Sequence, residues 1–376
     1  MAVRIGHKEF DRRFKMSDNL LASKQASKQA SKQDSFDPII NKERNKALDC
    51  YKGVLIVLVV LGHIFEYSVS DWNHNILENL IWAVQMPGFM LVSGYFSFRD
   101  VKNAEKLLVG YRKSVERYLL PFLTWFVLIS VLLLGNYEHD VLTALISLAW
   151  RVDGGLWFIW VVFVLSLVMG LCNLIRGKVN GFVKQFMTVA VTVGVSYGVL
   201  LILAKLTSIN FLGIKFILYY GLFYGLGWFI RWTQSFWEKQ KTVFYDTVAF
   251  ICICIFAAIT FNVNLYLIDD NIAGIMLRFI AGTTGNYVLY YVVKKLIPQL
   301  QKIKMDWIGM YTLEIYVTHM YTNHLFAEVA NDAFFTILGF STFTVSLICT
   351  VVLTGIVIVV LKSIPATNYL FYGKRK

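Results

Sequence analysis

The chain has 376 residues, of which 57% are hydrophobic and 16% are charged, and its mean hydropathy is +0.58. Soluble globular domains carry about 25% charged residues, so this composition excludes an ordinary soluble protein. The formal net charge is +12, but basic residues gather on alternate loops, which reports membrane orientation and argues against nucleic acid as a partner. The five cysteines show no CxxC pair and no histidine at metal spacing, so we predict neither a disulfide framework nor a metal site.

The first segment, 1–46, is hydrophilic and carries the repeat ASKQASKQASKQ at positions 22–33. It contains no apolar stretch of the kind that a signal peptide needs. We predict a cytoplasmic, mostly disordered tail. Its basic repeat has the charge to touch anionic lipid, although a plain flexible tail is the simpler interpretation.

Apolar runs near the length that crosses a bilayer, about 20 residues as helix, follow through position 361. Barrel-type alternation is absent from the sequence, so we predict an all-α integral membrane domain over residues 47–362. It has about ten predicted spans, at 50–68, 76–97, 118–135, 156–175, 182–204, 211–230, 243–262, 272–293, 307–327 and 335–361.

The charges of the connections predict the orientation of this domain. Basic and acidic connections alternate along the chain, which predicts both termini in the cytoplasm. The short segment with Lys205 and Lys215 fits this alternation poorly. The last residues, 363–376, are predicted to be a cytoplasmic tail, and the lipid bilayer is the first predicted partner.

Ionisable residues on one face of the first span indicate a functional site, because such groups are costly inside a membrane. Lys52 and His63 are eleven residues apart, about three helical turns, so they share a face with His63 roughly 16 Å deeper. Glu66, three residues further on, extends the same stripe. A low-dielectric site favours a neutral imidazole, which suits a general base. A histidine that only packs against a neighbouring helix is the alternative.

A second polar stripe lies on the ninth predicted span. Thr312, Tyr316, His319 and Asn323 follow one another at offsets of four, three and four, so they share one helix face. His319 lies about as deep as His63, which predicts a cavity that both histidines line. Interhelical hydrogen bonding alone would also favour these residue types.

Two further sets of basic residues leave two interpretations open. Arg278 on the eighth span needs an anionic partner or a water-filled cleft, unless its side chain reaches the outer interface. Arg112, Lys113 and Arg117 lie on a predicted inner loop before Pro121, which can start a helix. Such a cluster is an ordinary orientation signal and also suits phosphate binding.

These segments resemble the acyltransferase 3 family, whose members are membrane-bound and O-acylate cell-surface carbohydrates. The first span, from Asp49 through Lys52 to His63, is similar to the family signature of a basic residue, ten intervening residues and a histidine. Lysine stands here instead of the commoner arginine. The second-span pattern reads Met-Pro-Gly-Phe at 86–89 and Ser-Gly-Tyr at 93–95, with Gln85 where members often have histidine. Arg117 before the proline, Leu-Trp-Phe at 156–158, Gly309 and TLEIYVTH at 312–319 complete a match over about residues 44–361.

The resemblance implies an O-acyltransferase, with acetyl as the expected group, that uses cytoplasmic acyl-CoA as co-substrate and no bound cofactor. The implied acceptor is a hydroxyl of a cell-surface or lipid-linked carbohydrate, the implied location is the plasma membrane, and an envelope-biosynthesis protein is a further partner. His63 would act as base or briefly carry the acyl group, with Glu66 orienting its ring. The expected CoA-binding residues are Lys52, Arg112, Lys113 and Arg117. The expected acceptor-side residues are Ser93, Trp157, Arg278, Tyr316, His319 and Asn323.

A transporter or exporter of a polysaccharide or lipid-linked sugar is the alternative function. It would use the same polar cavity without covalent chemistry. Paired, glycine- or proline-broken spans in two related halves would mark such a protein, and the sequence does not show them.

Overall fold

The computed structural model of the chain describes residues 45–154, 156–323 and 332–374. Within these ranges the regular structure is entirely helical, which agrees with the predicted fold class. The predicted N-terminal tail and its repeat lie outside the described residues, apart from the last two positions.

The helices of the described ranges are numbered here in chain order. They are α1 (Lys46–Ser68), α2 (Ile76–Ser97), α3 (Ala104–Leu133), α4 (Val141–Trp150), α5 (Trp157–Arg176), α6 (Phe182–Leu206), α7 (Ile214–Trp232), α8 (Thr242–Thr260), α9 (Ile272–Lys295), α10 (Thr312–Asn323), α11 (Ile337–Ser363) and α12 (Pro365–Tyr372). Short helical turns lie at Trp72–His74, Asn136–His139, Val152–Gly154, Phe211–Gly213, Gln234–Trp237, Ile297–Lys302 and Met305–Ile308.

Nine helices in the part of the chain that the structure describes are long and apolar enough to cross a membrane: α1, α2, α3, α5, α6, α7, α8, α9 and α11. Their bounds agree with the predicted spans to within about a turn, except at the start of α3. The predicted span 307–327 corresponds to α10, which is described for twelve residues, and positions 324–327 lie outside the described residues. The count of ten and the orientation of the termini stay predictions.

Helix α3 begins at Ala104 and not near position 118, which corrects the sequence interpretation of its basic residues. Arg112, Lys113 and Arg117 are therefore helical and do not lie on a loop. The Asn103 side chain accepts a hydrogen bond from the backbone N–H of Lys106 and so caps the new start. The first turns are polar, so apolar run length could not predict them.

Pro121 lies inside α3 and does not start a helix, a second correction. Proline has no N–H, so the carbonyl of Arg117 loses its usual α-helical donor. The helix widens into a π-helical turn over Val115–Leu119. Such turns shift the direction of the side chains that follow them and are frequent at functional sites.

Helices α2 and α7 cross at very close range, with glycines at the points of contact. A Cβ placed on Gly94 would collide with the carbonyl of Tyr224, and one placed on Gly227 would collide with the carbonyl of Leu91. Small residues let two membrane helices approach until their backbones touch. The glycine of the Ser-Gly-Tyr pattern is therefore required by packing, and it fixes the neighbouring Ser93 beside the site described below.

The last helix, α12, packs back on the core instead of extending away from it. Trp125 Nε1 donates to the Phe371 carbonyl at 3.0 Å, and the Tyr372 hydroxyl lies 3.1 Å from Thr318 Oγ1. Phe371 and Tyr372 are both buried. Residues 365–372 thus belong to the packed molecule, and the predicted cytoplasmic location of this segment stays a prediction.

Candidate functional site

His63 on α1 faces helix α10, where it meets the second predicted histidine. The ring centroids of His63 and His319 are 5.4 Å apart. His63 Nδ1 lies 3.1 Å from Glu66 Oε2, one turn further along the same helix. When Nδ1 carries the ring proton it donates to this carboxylate, which orients the ring and leaves Nε2 with a free lone pair. The arrangement can support a general base.

His319 is fully buried, and its own ring is held in a defined orientation. Its Nδ1 lies 2.9 Å from the backbone carbonyl of Ile315. A carbonyl only accepts, so Nδ1 carries the proton and Nε2 is an acceptor. Among the described residues Nε2 has no hydrogen-bond partner. A buried acceptor is costly without a partner, so Nε2 can accept a hydrogen bond from a hydroxyl group that reaches it.

The remainder of the α10 stripe lies on the same buried face. The Tyr316 ring lies 5.9 Å from that of His319, and Asn323 is fully buried. Asn323 Oδ1 accepts from Thr350 Oγ1 at 3.3 Å, while its Nδ2 lacks a partner within the described ranges. The structure therefore brings the predicted stripe together beside His63, as the spacing of these residues indicated.

Gln85 on α2 borders the same region. Its side chain is buried. A Cβ placed on Gly62 would lie 3.0 Å from Gln85 Oε1, so the amide packs directly against the turn that carries His63. Gln85 Oε1 has no hydrogen-bond partner in the described part of the chain. Polar atoms without a partner among the described residues therefore occur on Gln85, beside the turn that carries His63, and on His319 and Asn323 of α10.

A cavity of about 670 Å³ lies at the Lys52 end of α1. This size falls in the range of small-molecule sites, about 300–1,000 Å³. Its described lining carries six cationic side chains and two carboxylates, namely Lys52, Arg99, Lys106, Lys113, Arg117 and Lys374 with Glu116 and Glu314. The excess of cations favours an anionic occupant such as a phosphate group.

Five of the predicted site residues line this cavity: Lys52, Ser93, Lys113, Arg117 and Tyr316. Lys52 forms an ion pair with Asp49 at 2.8 Å, and its ammonium lies 5.9 Å from the Phe96 ring centroid. An ammonium has three donors, so this pair leaves Lys52 able to bind a second anion.

Tyr316 joins the cavity to the histidines. It lines the cavity, and its ring also contacts His319, which in turn contacts His63. The three rings follow one another at centroid distances of 5.9 and 5.4 Å. This line of aromatic groups runs from the cationic cavity to the histidine–carboxylate pair.

Arg112 and Trp157 were predicted to contribute, and both lie outside the set of described residues that line the cavity. Arg112 is 72% exposed and its Nε lies 3.1 Å from Glu116 Oε1. Trp157 stacks on Phe216 and Tyr220 at centroid distances of 4.9 and 5.0 Å, so it packs helices α5 and α7 together.

The hydrogen bonds of Arg278 within the described residues go to the segment before α9, and its guanidinium also lies 5.6 Å from the Trp82 ring centroid on α2. Its guanidinium donates to the carbonyls of Leu265 and Ile268 and to Asp270 Oδ1 at 2.5 Å. This is the anionic partner that the sequence required, and it ties Arg278 to a connecting segment and not to the histidines.

The sequence did not predict Glu314 and Lys374 as site residues. Glu314 is fully unexposed on α10 and accepts from Lys362 at 3.3 Å and from Lys374 at 2.5 Å. Its position inside an apolar run was a usable signal, since ionisable residues in spans indicate function. No sequence pattern indicated Lys374 as a site residue, because only tertiary packing brings residues 372–374 to the cavity.

The fold and the site together define a multi-pass helical membrane protein in which the partly exposed His63 contacts the buried His319, and Tyr316 joins this pair to a cationic cavity. Residues 45–360 match the acyltransferase 3 family, described as an acyltransferase domain. This match covers most of the chain, and the chain belongs to that family.

The chain is also similar to two proteins named nodulation protein NolL. The identity is 31% over 134 residues for the protein from Mesorhizobium japonicum and 29% over 141 residues for that from Sinorhizobium fredii. These segments cover 34% and 35% of this chain and 35% and 38% of the relatives. The similarity thus spans about a third of the length of either relative. No solved structure matches the chain.

Proposed function

We propose that the chain is an O-acyltransferase that moves an acyl group, with acetyl as the simplest, from cytoplasmic acyl-CoA to a carbohydrate hydroxyl. The supporting observation is the line of rings from the cationic cavity through Tyr316 and His319 to the His63–Glu66 pair. Membership of an acyltransferase family supports the reaction class.

The cavity at the Lys52 end is the proposed donor site. CoA carries phosphate groups, and Lys52, Lys113 and Arg117 can bind them by charge-assisted hydrogen bonds. The thioester arm then extends past Ser93 and Tyr316 toward the histidines. Ser93 and Tyr316 can donate hydroxyl hydrogen bonds along this route.

His63 is the proposed general base. Its Nε2 takes the proton of the acceptor hydroxyl while that oxygen attacks the thioester carbonyl. The new C–O bond forms, the C–S bond breaks, and the thiolate leaves with the electron pair. His63 then returns the proton to sulfur, so one ester and one CoA thiol result. Glu66 stabilises the imidazolium between these two proton transfers.

Polar groups near His63 form the proposed acceptor site. Within the described residues, Gln85 Oε1 and His319 Nε2 present two buried acceptors and Asn323 Nδ2 presents a buried donor. Sugar hydroxyls both donate and accept, so they complement such a set. A cell-surface or lipid-linked glycan, a plasma-membrane location and an envelope-biosynthesis partner complete the proposal.

The test is the ester content of surface glycans by mass spectrometry, in cells without the chain that receive wild type or His63→Gln. Glutamine keeps a polar side chain but cannot accept the proton. We expect wild type to restore the esters and His63→Gln to leave them absent, with the same amount of polymer. Esters restored by His63→Gln would contradict the chemistry, and loss of the polymer itself would indicate export.

A further inference from the structure

We propose that the C-terminal end of the chain completes the donor cavity and that Lys374 is a further phosphate-binding residue in it. This inference rests on the proposed function, because it assigns a residue to the same acyl-CoA site. Lys374 lies beyond residue 360, where the family match ends. The site residues predicted from the sequence do not include it.

Helix α12 brings the end of the chain to the cavity by specific packing. Its last residues are anchored by Trp125 and Thr318, which hold the Phe371 carbonyl and the Tyr372 hydroxyl. Tyr372, Gly373 and Lys374 all line the cavity. Residues 372–374 therefore form part of the cavity wall.

Gly373 directs the chain from α12 into the cavity. It ends the helix with φ of +64°, a conformation that favours glycine. A Cβ at this position would collide with the Glu116 carbonyl and would lie 2.9 Å from the Arg117 Cα. The chain end thus lies directly on the π-helical turn that carries Arg117, so Arg117 and Lys374 enter the cavity from adjacent backbones.

Glu314 holds the Lys374 ammonium in place. Its carboxylate is fully unexposed and accepts from Lys374 at 2.5 Å and from Lys362 at 3.3 Å. Both ammonium groups also lie over the Tyr311 ring, at 5.7 and 4.1 Å from its centroid. A fixed ammonium binds an anion with less loss of side-chain entropy than a free one.

Lys374 keeps the capacity to bind a second anion. Its side chain is 43% exposed, and only one of its three donors is needed for Glu314. Lys362 and Lys374 both pair with Glu314, but of the two only Lys374 is among the described residues that line the cavity. Lys362 is therefore a matched control.

The experiment measures CoA binding to the purified full-length chain in lipid nanodiscs by isothermal titration calorimetry. We expect Lys374→Gln to weaken CoA binding about tenfold at low salt, as loss of one charge-assisted contact does. Lys374→Arg keeps the cation and should bind within about threefold of wild type. Lys362→Gln should bind within about twofold of wild type.

The salt dependence of CoA binding distinguishes a phosphate contact of Lys374 from a purely structural role. Screening weakens a charge contact, so the Lys374→Gln defect should shrink at about 0.5 M NaCl to roughly twofold. A Lys374→Gln variant that binds CoA as wild type does, or a defect that salt leaves unchanged, would overturn the inference alone. Wild-type protein that fails to bind CoA would overturn the donor assignment itself.

Discussion

The two histidines do not have equivalent environments, and this difference assigns their roles. His63 has a carboxylate on Nδ1, which can stabilise a positive ring during proton transfer. His319 has a backbone carbonyl on Nδ1 and is fully buried, which favours a neutral ring that accepts through Nε2. We therefore assign proton transfer to His63 and positioning of the acceptor to His319.

Replacement of His319 tests this division. We expect His319→Ala to lower kcat about 10²-fold, because the acceptor hydroxyl loses a buried hydrogen-bond partner. The affinity for CoA should stay within about twofold. The control is Thr322→Val on the same helix, which removes a 2.9 Å contact with Thr354 and a hydrogen bond to the His319 backbone carbonyl but leaves both imidazole rings and their partners in place. A loss of kcat as large in Thr322→Val would show that helix packing explains the effect.

Arg117 and Arg112 form a pair that tests the donor cavity. Arg117 lines the cavity, whereas Arg112 is exposed and pairs with Glu116. We expect Arg117→Ala to raise KM for acyl-CoA about tenfold, since one charge-assisted phosphate contact is lost. Arg112→Ala should change KM by less than about twofold. Steady-state kinetics with both variants checks this, and equal effects would contradict the assignment of the cavity.

Helical spacing predicted which candidate residues lie on the same helix face, whereas their roles stay predictions. It placed Lys52, His63 and Glu66 on one stripe and His319 with its neighbours on another, and the structure brings both stripes together. Spacing could not separate Arg112 from Arg117, because both belong to one basic cluster. That distinction depends on a π-helical turn, which a local sequence pattern does not specify.

Helices α2 and α7 touch backbone to backbone where they cross, because Gly94 has no side chain. This close contact holds the neighbouring Ser93 where it lines the cavity. A glycine in a helix interior costs up to about 1 kcal/mol in helix propensity relative to alanine. At this crossing the cost is offset by packing that a larger residue would prevent.

Gly94 and Gly225 give a matched test of this crossing. We expect Gly94→Ala to lower the melting temperature by about 3–8 °C, because its Cβ would meet the rigid Tyr224 carbonyl. A Cβ on Gly225 would meet nothing within 4 Å, so Gly225→Ala should leave the melting temperature unchanged or slightly raised. Thermal unfolding in detergent measures both, and equal shifts would argue against backbone contact.

The segment before α9 is held by an ion cluster with a defined pH dependence. Hydrogen bonds from Lys215 and then Arg278 hold the pKa of Asp270 below its usual range. A carboxylate with a lowered folded-state pKa stabilises the fold above its unfolded pKa, about 3.9. This contribution is lost as the pH falls through the folded-state value.

Asp270→Asn tests the cluster. Asp270 is about half exposed, so solvent screening limits the effect to about 1 kcal/mol or less. We expect a melting temperature about 1–3 °C below that of wild type at pH 7, and a difference that shrinks as the pH falls below about 4 through the lowered folded-state pKa. Melting curves across this range check the prediction, and a difference that persists at low pH would exclude the charge as its cause.

Hydropathy was sufficient to predict an all-helical membrane protein, with both ends of eight of the nine long described helices, and the end of α3, within about a turn. It could not predict the polar start of α3, which depends on an Asn103 cap, or the short α12, which tertiary contacts with Trp125 and Thr318 stabilise. Both elements contribute to the donor cavity. The sequence therefore failed to predict the parts of the site that lie on the polar start of α3 and on the short α12, because neither forms a long apolar run.

The proposed reaction requires one molecule to join a donor cavity to a base at His63. An assay with purified chain in proteoliposomes, acetyl-CoA labelled in the acetyl group, and acceptor glycolipid from producing cells tests this requirement. We expect wild type to release one CoA thiol for each ester formed. His63→Gln should bind CoA normally and form ester at least about 10²-fold more slowly. Ester formation by His63→Gln at the wild-type rate would contradict the account.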